Sequence, residues 1–119
     1  MFEAYIVAAM VSAQMKHGSA ELAILSLLQS ERLHGYEIAK RIERQTNGAL
    51  TFQVASLYPM LYSLEKRGWI RGDWEAESSG PRRRYYRLTP LGRKKLLPLR
   101  REWRLFFQAL DRLAGVSHA

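Results

Sequence analysis

Apolar residues recur at spacings of three and four along three successive segments, a pattern typical of helices that bury one face. The first predicted helix begins at Ser19, whose side chain can cap it, and runs to residue 28. The second opens near Gly35 and ends at Asn47-Gly48, because both residues tolerate the left-handed conformation of a helix C-terminus. The third covers residues 53–67 before Gly68. Its predicted core stripe consists of Val54, Leu57, Leu61 and Leu64.

Two segments rich in aromatic and long side chains follow, residues 69–75 and 82–88, and Ser-Ser-Gly-Pro in the connection is turn chemistry. They predict a β-hairpin. Thr89-Pro90 then begins a long final helix, as N-cap and first helical residue. The apolar residues of this helix have heptad spacing, which requires a partner helix, and Pro98 among them is expected to bend it. The predicted dimer seam consists of Leu96, Leu99, Trp103, Phe106, Leu110 and Leu113.

Three helices, a hairpin and one more helix predict a mostly α fold with a small β-hairpin, namely a winged helix-turn-helix with a long C-terminal dimerisation helix. The predicted parts are an N-terminal extension over residues 1–18 that forms a short helix, a DNA-binding domain over 19–88, and the dimerisation helix over 89–119. In this layout the helix from Gln53 enters the major groove and the helix from Gly35 crosses the backbone. The hairpin, or wing, reaches an adjacent groove or run of phosphates.

The basic residues are concentrated in one part of the chain. The net charge is +8, yet residues 82–104 contain ten lysines or arginines against one acidic residue, Glu102, so the remainder is almost neutral. A local excess of this kind is expected of a surface that binds a polyanion such as duplex DNA. For residues 93–104 taken alone, a solvated helix face explains the charge equally well.

Several classes of function are disfavoured by what the chain contains. It has no cysteine, which excludes disulfides, cysteine-ligated zinc and thiol catalysis. The apolar stretch over residues 4–13 is too short to span a bilayer, and no basic residue precedes it as in a signal peptide, so we expect a cytoplasmic protein without membrane contact. The three histidines have no paired carboxylate or nucleophile at useful spacing, so no enzyme, metal site or cofactor is predicted, and His34-Gly35 is expected to open a helix.

Several motifs, in order over about residues 19–113, resemble the PadR family. They are ELAILSLL at 21–28, LHGYEI at 33–38, LYPML at 57–61, LEKRG at 64–68, PRRRYYRLT at 81–89, and Gly92. The resemblance implies a dimeric, usually repressing, winged-helix regulator that releases DNA when a small effector binds. With a single helix after the wing, the chain resembles the short subfamily that includes multidrug sensors. In that subfamily a tryptophan on this helix lines an apolar pocket between subunits, and Trp103 occupies the matching place.

Two features depart from the family pattern. Residues 1–14 precede the usual start, and their apolar residues are spaced as in a short helix that packs on the body or on the other subunit. A start-site or cloning artefact is the alternative. Pro98 lies near Trp103, where a bend would alter the shape of the pocket.

Candidate DNA contacts lie on the second and third helices and in the wing. Tyr36 could bind a phosphate at a helix N-terminus or pack as a half-buried aromatic, and for Tyr58 the resemblance supports a DNA contact, with packing as the alternative. The wing arginines nearest the turn are expected to touch phosphate or the minor groove, whereas Tyr86 packs inward with Ile70 and Leu88. The predicted DNA-binding residues are Tyr36, Gln53, Ser56, Tyr58, Pro59, Lys66, Arg82 and Arg83.

Trp103, with Leu99 and Phe106, is the candidate effector site, and plain interface core is the alternative for this tryptophan. The sequence therefore predicts a homodimeric repressor of a twofold-symmetric operator, released by a small apolar or aromatic effector. One alternative is a winged helix that docks a protein partner without sequence-specific DNA binding, and another is a ligand carrier that has the pocket without DNA affinity. The concentration of charge in the wing favours DNA, because a docking module has no need of it.

Overall fold

The computed structural model describes residues 13–76 and 80–115, with side chains from residue 19 onward. These residues form four helices and a small three-stranded antiparallel sheet. The helices are α1 (Ala13–Leu28), α2 (Gly35–Gln45), α3 (Val54–Lys66) and α4 (Pro90–Ala114). The strands are β1 (Leu33–His34), β2 (Ile70–Glu75) and β3 (Arg83–Leu88), in the sheet order β1-β3-β2. This architecture confirms the predicted mostly α fold with a hairpin and a long C-terminal helix.

The start of α1 differs from the prediction. The helix begins at Ala13, so Ser19 lies inside it and is not its N-cap. The preceding Ala-Gln-Met-Lys run consists of good helix formers, and Gly18 costs only about 1 kcal/mol within a helix, too little to end it. Residues 13–18 therefore belong to α1. The rest of the N-terminal extension, for which a short helix is predicted, is residues 1–12 and lies outside the described part of the chain.

The sheet contains a strand that the sequence pattern did not predict. In β1, Leu33 pairs with Tyr86 and His34 pairs with Tyr85, antiparallel to β3. Two residues are too few for an alternating pattern to be visible. The pairing joins the residue before α2 directly to the wing.

The core lies between the three N-terminal helices and the inner face of the sheet. Leu57, Leu61 and Leu64 of the predicted α3 stripe are fully buried, and Val54 packs partly against them. Tyr86 is buried in the same cluster, which also contains the other inward residues of the hairpin, Ile70 and Leu88, as predicted. Burial of each such large side chain contributes roughly 1.5–3 kcal/mol, so this cluster holds the helices against the wing.

Helix α4 starts from a tightly bonded junction at the base of the wing. Thr89 caps it as predicted, because its Oγ1 accepts a hydrogen bond from the Gly92 N–H at 3.0 Å, and Pro90 follows in the first turn. The Thr89 N–H donates to the Trp69 carbonyl at 3.0 Å, and its hydroxyl lies 2.6 Å from the Gly68 carbonyl oxygen. An added Cβ at Gly92 would lie 2.0 Å from the Trp69 carbonyl oxygen, so only glycine allows this approach.

Beyond its first turns α4 leaves the core. Leu96 is 1% exposed and Leu99 packs partly against the core, whereas Leu113 is 88% exposed. The helix continues through Pro98 to residue 114. No helix in the described residues is long and apolar enough to cross a membrane.

Candidate nucleic-acid interface

The N-terminus of α2 lies against the side of α3. His34 is the N-cap of α2, and its Nδ1 accepts a hydrogen bond from the Glu37 N–H at 3.2 Å, which confirms that His34-Gly35 opens the helix. An added Cβ at Gly35 would lie 3.4 Å from the Tyr58 ring, so a larger residue would meet that ring. Tyr36 and Tyr58 are each 51% exposed. Their hydroxyl-bearing rings therefore face solvent at the point where the two helices meet.

A cleft of about 700 Å³ separates α3 from the wing. It is lined by three elements: the start of α2, the exposed face of α3 and the wing strands. The lining residues are His34, Gly35, Tyr36, Tyr58, Tyr62, Glu65, Trp74, Arg82, Arg83, Arg84 and Tyr86. The cleft thus combines aromatic rings with guanidinium groups, the residue types that bind phosphates and stack on planar groups.

The three consecutive wing arginines have different surroundings. The Arg82 guanidinium lies 5.6 Å from the centre of the Trp74 ring and is exposed. Arg83 is also exposed, with Nη1 3.0 Å from Nε2 of His34. Arg84 turns inward and donates from Nη2 to Glu65 on α3 at 2.5 Å. Two cations therefore face solvent beside the cleft, and the third links the wing to α3.

The remaining predicted residues of α3 are exposed but do not line the cleft. Gln53 is the N-cap residue of α3, and its side chain is exposed and makes no capping hydrogen bond. Ser56 and Pro59 lie exposed in the following turns, and Lys66 is exposed at the C-terminal end. Of the predicted DNA-binding set, the structure thus brings together Tyr36, Tyr58, Arg82 and Arg83.

The interface also contains aromatic residues that the sequence pattern did not single out. Tyr62 is 69% exposed and Trp74 is 56% exposed, and both line the cleft. The signal for Tyr62 was present, because it follows Tyr58 by one helical turn and so shares its face. No pattern singled out Trp74, because the sequence does not distinguish an exposed aromatic residue on a hairpin strand from one that packs inward.

Burial and hydrogen bonding shift the pKa values of two groups, Tyr86 in the cleft and Glu37 on α2. Burial raises the pKa of the Tyr86 hydroxyl above its ordinary value. The side-chain hydrogen bond from Arg41 lowers the pKa of Glu37, and the nearby Arg44 adds to this effect. The carboxylate of Glu37 is thus held charged on α2 between these two arginines.

A second aromatic group lies on α4, away from the wing. Trp103 contacts Phe106 and Phe107, with ring centres 5.8 Å apart in each case. A shallow depression of about 280 Å³ is lined by Glu102, Trp103 and Phe106. The predicted effector residues Trp103 and Phe106 therefore lie together, whereas Leu99 packs toward the core of its own protomer.

One residue of the predicted dimer seam lies elsewhere. Leu96 is buried in the core cluster of its own protomer and has no surface left for a partner. Its spacing fits the heptad because the core-facing stripe of α4 runs into the outer stripe without a break. The other five seam residues are half-buried or exposed: Leu99, Trp103, Phe106, Leu110 and Leu113.

Two packed helices, the second of which has an exposed face beside a basic hairpin, define a winged helix-turn-helix protein. Residues 24–97 match the transcriptional regulator PadR-like family. The chain belongs to this family of transcriptional regulators, which confirms the resemblance drawn from its motifs.

Relatives match most of the chain. An uncharacterised protein from Lysinibacillus sphaericus is 33% identical over 102 residues, which are 86% of this chain and 94% of that protein. A transcriptional regulator from Clostridium thermocellum has a similar structure, with a TM-score of 0.80, 32% identity, and coverage of 88% of this chain and 99% of the other. Bacillus subtilis PadR in complex with operator DNA matches with a TM-score of 0.62 and 25% identity, over 67% of this chain and 45% of PadR.

Proposed function

We propose that this protein binds a twofold-symmetric operator as a homodimer, represses the adjacent gene, and is released by a small apolar or aromatic effector. The observation that carries the proposal is the cleft between α3 and the wing, where exposed tyrosines and arginines of three elements converge. The operator-bound structure of Bacillus subtilis PadR, a relative over two thirds of this chain, supports duplex DNA as the partner.

Within this proposal the two helices and the wing have separate tasks. Gln53, Ser56 and Pro59, near the N-terminus of α3, contact base edges in the major groove, and Tyr58 and Lys66 contact the flanking backbone. Tyr36 donates its hydroxyl to a phosphate at the start of α2. Arg82 and Arg83 bind phosphates or enter the minor groove. Their exposure in the free protein leaves both cations available for this role.

The dimer forms through α4. Phe106 is 52% exposed and Leu113 is 88% exposed, which is costly for large apolar side chains on a helix that faces solvent. A second copy of α4 would cover them together with Trp103 and Leu110. Leu99 lies at the inner border of this surface, and Leu96 is not part of it.

The effector site lies between the two copies of α4. Trp103 and Phe106 form one apolar wall, and a twofold axis would place an equivalent wall opposite. A planar ligand between them gains apolar burial and favourable ring stacking. It releases DNA only if it binds one arrangement of the dimer more tightly than the other.

The decisive experiment is a selection of bound sequences from random duplex DNA with the purified protein. An enriched inverted repeat is the expected result, since each protomer reads one half-site. Enrichment of a single, non-repeated site would contradict binding as a symmetric dimer. Retention of DNA without enrichment of any sequence would contradict operator recognition, and the winged helix would then serve to dock a protein partner.

A further inference from the structure

One carboxylate on α3 holds both strands of the wing. Glu65 Oε2 accepts a hydrogen bond from the Gly72 N–H of β2 at 3.1 Å and from Arg84 Nη2 of β3 at 2.5 Å. Arg84 Nη2 also lies 3.3 Å from the Gly72 carbonyl oxygen. The helix proposed to read the major groove is therefore tied directly to the hairpin that carries Arg82 and Arg83.

The path of Arg84 across the sheet requires a glycine beside it. An added Cβ at Gly72 would lie 2.3 Å from Arg84 Nε and 2.9 Å from the Tyr86 ring. The side chains of Glu65 and Arg84 are 26% and 34% exposed, so the ion pair is more shielded from solvent than a second pair at the wing, Arg32–Glu75, at 51% and 39%. Shielding strengthens the attraction between the two charges. Arg84 is thus committed to the fold and not to a ligand.

The negative charge of Glu65 lies on the wall of a cleft that otherwise presents arginines and aromatic rings. A carboxylate there repels a polyanion, so it weakens DNA binding unless it also does something that binding needs. Both hydrogen bonds of Glu65 end on the wing, which indicates that the carboxylate holds the wing in position.

We propose that Glu65 is a positioning residue that sets the angle between the wing and α3, and so determines where Arg82 and Arg83 meet the DNA. This inference rests on the proposed DNA binding. When the tie is broken, the hairpin remains paired with β1 but can turn away from α3. The wing then binds fewer phosphates while α3 still reaches the groove.

The test compares Glu65→Gln with wild type in binding to the selected operator. Charge alone predicts tighter binding, because a carboxylate near the DNA is removed. Loss of positioning predicts the opposite, binding weaker by about tenfold, the effect of one charge-assisted hydrogen bond. The salt dependence should also become shallower by about one unit of slope for each phosphate that the wing no longer reaches. Glu43→Gln, at an exposed position of α2, is the matched control for charge and should bind at least as tightly as wild type, because it removes a carboxylate without breaking a contact to the wing.

Glu65→Asp is the second variant, because it keeps the charge and shortens the side chain beyond reach of one partner. It should also weaken binding, and it remains informative if the glutamine variant does not fold. Arg82→Ala should have a smaller effect in the Glu65→Gln background than in wild type, since the misplaced arginine no longer contributes. Unchanged or tighter binding by folded Glu65 variants, with unchanged salt dependence, would overturn the inference. Absence of binding by wild type would instead refute the proposed function.

Discussion

Three consecutive arginines of the wing differ in what they can bind, because each has a different neighbour. Arg84 is held by Glu65, whereas Arg82 lies over an exposed tryptophan and Arg83 beside an imidazole. Neither neighbour of the outer two neutralises a positive charge by itself. Only Arg82 and Arg83 are therefore expected to exchange their present surroundings for phosphate oxygens.

Replacement of Arg82 by alanine should weaken binding to operator and to random DNA by the same factor. The reason is that phosphate binding does not depend on sequence, and the salt slope should fall by roughly one unit for each phosphate left unbound. Gln53→Ala should cost roughly 1–3 kcal/mol on the selected operator only, because one base edge is no longer recognised. Fluorescence anisotropy with both DNAs over a range of salt concentrations measures the two effects. Equal losses of affinity on both DNAs for both variants would contradict this division.

At the scale of elements, the junction between the wing and α4 depends on one close approach. In Gly92→Ala the new methyl group would lie 2.0 Å from the Trp69 carbonyl oxygen, so α4 must shift or tilt. We expect the free energy of unfolding to fall by roughly 1–3 kcal/mol, as for other overpacked sites. Denaturant unfolding followed by circular dichroism measures it. Gly80→Ala is the control, since no atom of the described residues lies within 4 Å of its added Cβ, and an equal loss of stability there would show that packing at Gly92 is not the cause.

The helices and the hairpin could be predicted from the sequence because their signals are local. Apolar spacing located α3 to within one residue at each end and α2 to within about two, and Thr89-Pro90 marked the start of α4. The prediction that α1 begins at Ser19 was wrong, because a good capping residue also occurs inside helices. The heptad spacing of α4 misled at Leu96, because spacing shows which side of a helix is apolar but not whose core it meets.

The candidate site was less predictable than the fold, because its hydrogen bonds join residues far apart in the chain. Tyr36, Tyr58, Arg82 and Arg83 were recognised from helix ends and from the turn. Glu65 had the appearance of an ordinary solvated glutamate on α3. Its partners are seven and 19 residues away, and only the folded hairpin brings them within hydrogen-bond distance.

At the scale of the whole molecule, the exposed apolar side of α4 predicts the state of assembly. Phe106→Glu should convert a dimer into a monomer at micromolar concentration, because two carboxylates would face each other across the twofold axis. Sedimentation equilibrium measures this. Gln108→Glu adds the same charge to an exposed position of the same helix and should remain dimeric. A wild-type protein that is already a monomer under these conditions would refute assembly through α4.

The same surface predicts how an effector would be detected. A planar aromatic compound stacked against Trp103 should quench its fluorescence saturably and lower operator affinity in parallel. Trp103→Ala should abolish both responses in a variant that sedimentation equilibrium shows to remain a dimer, and this dimer should still bind operator, because the indole lies on α4 and not at the cleft. Titration of a panel of planar compounds, with operator binding followed in the same samples, measures the two responses. If quenching leaves operator affinity unchanged, Trp103 is interface core and not a sensor.

Thr89 is the only residue between the end of β3 and the start of α4, and its hydrogen bonds to Gly68 and Trp69 leave no hinge there. The wing, the end of α3 and the first turns of α4 must therefore move together as one rigid body. In a dimer joined through α4, a small change in the angle at which the two helices cross would sweep each wing through an arc. The length of that arc grows with its distance from the crossing point. A change of angle too slight to disturb the packing around Trp103 would thus be magnified where the wings meet DNA.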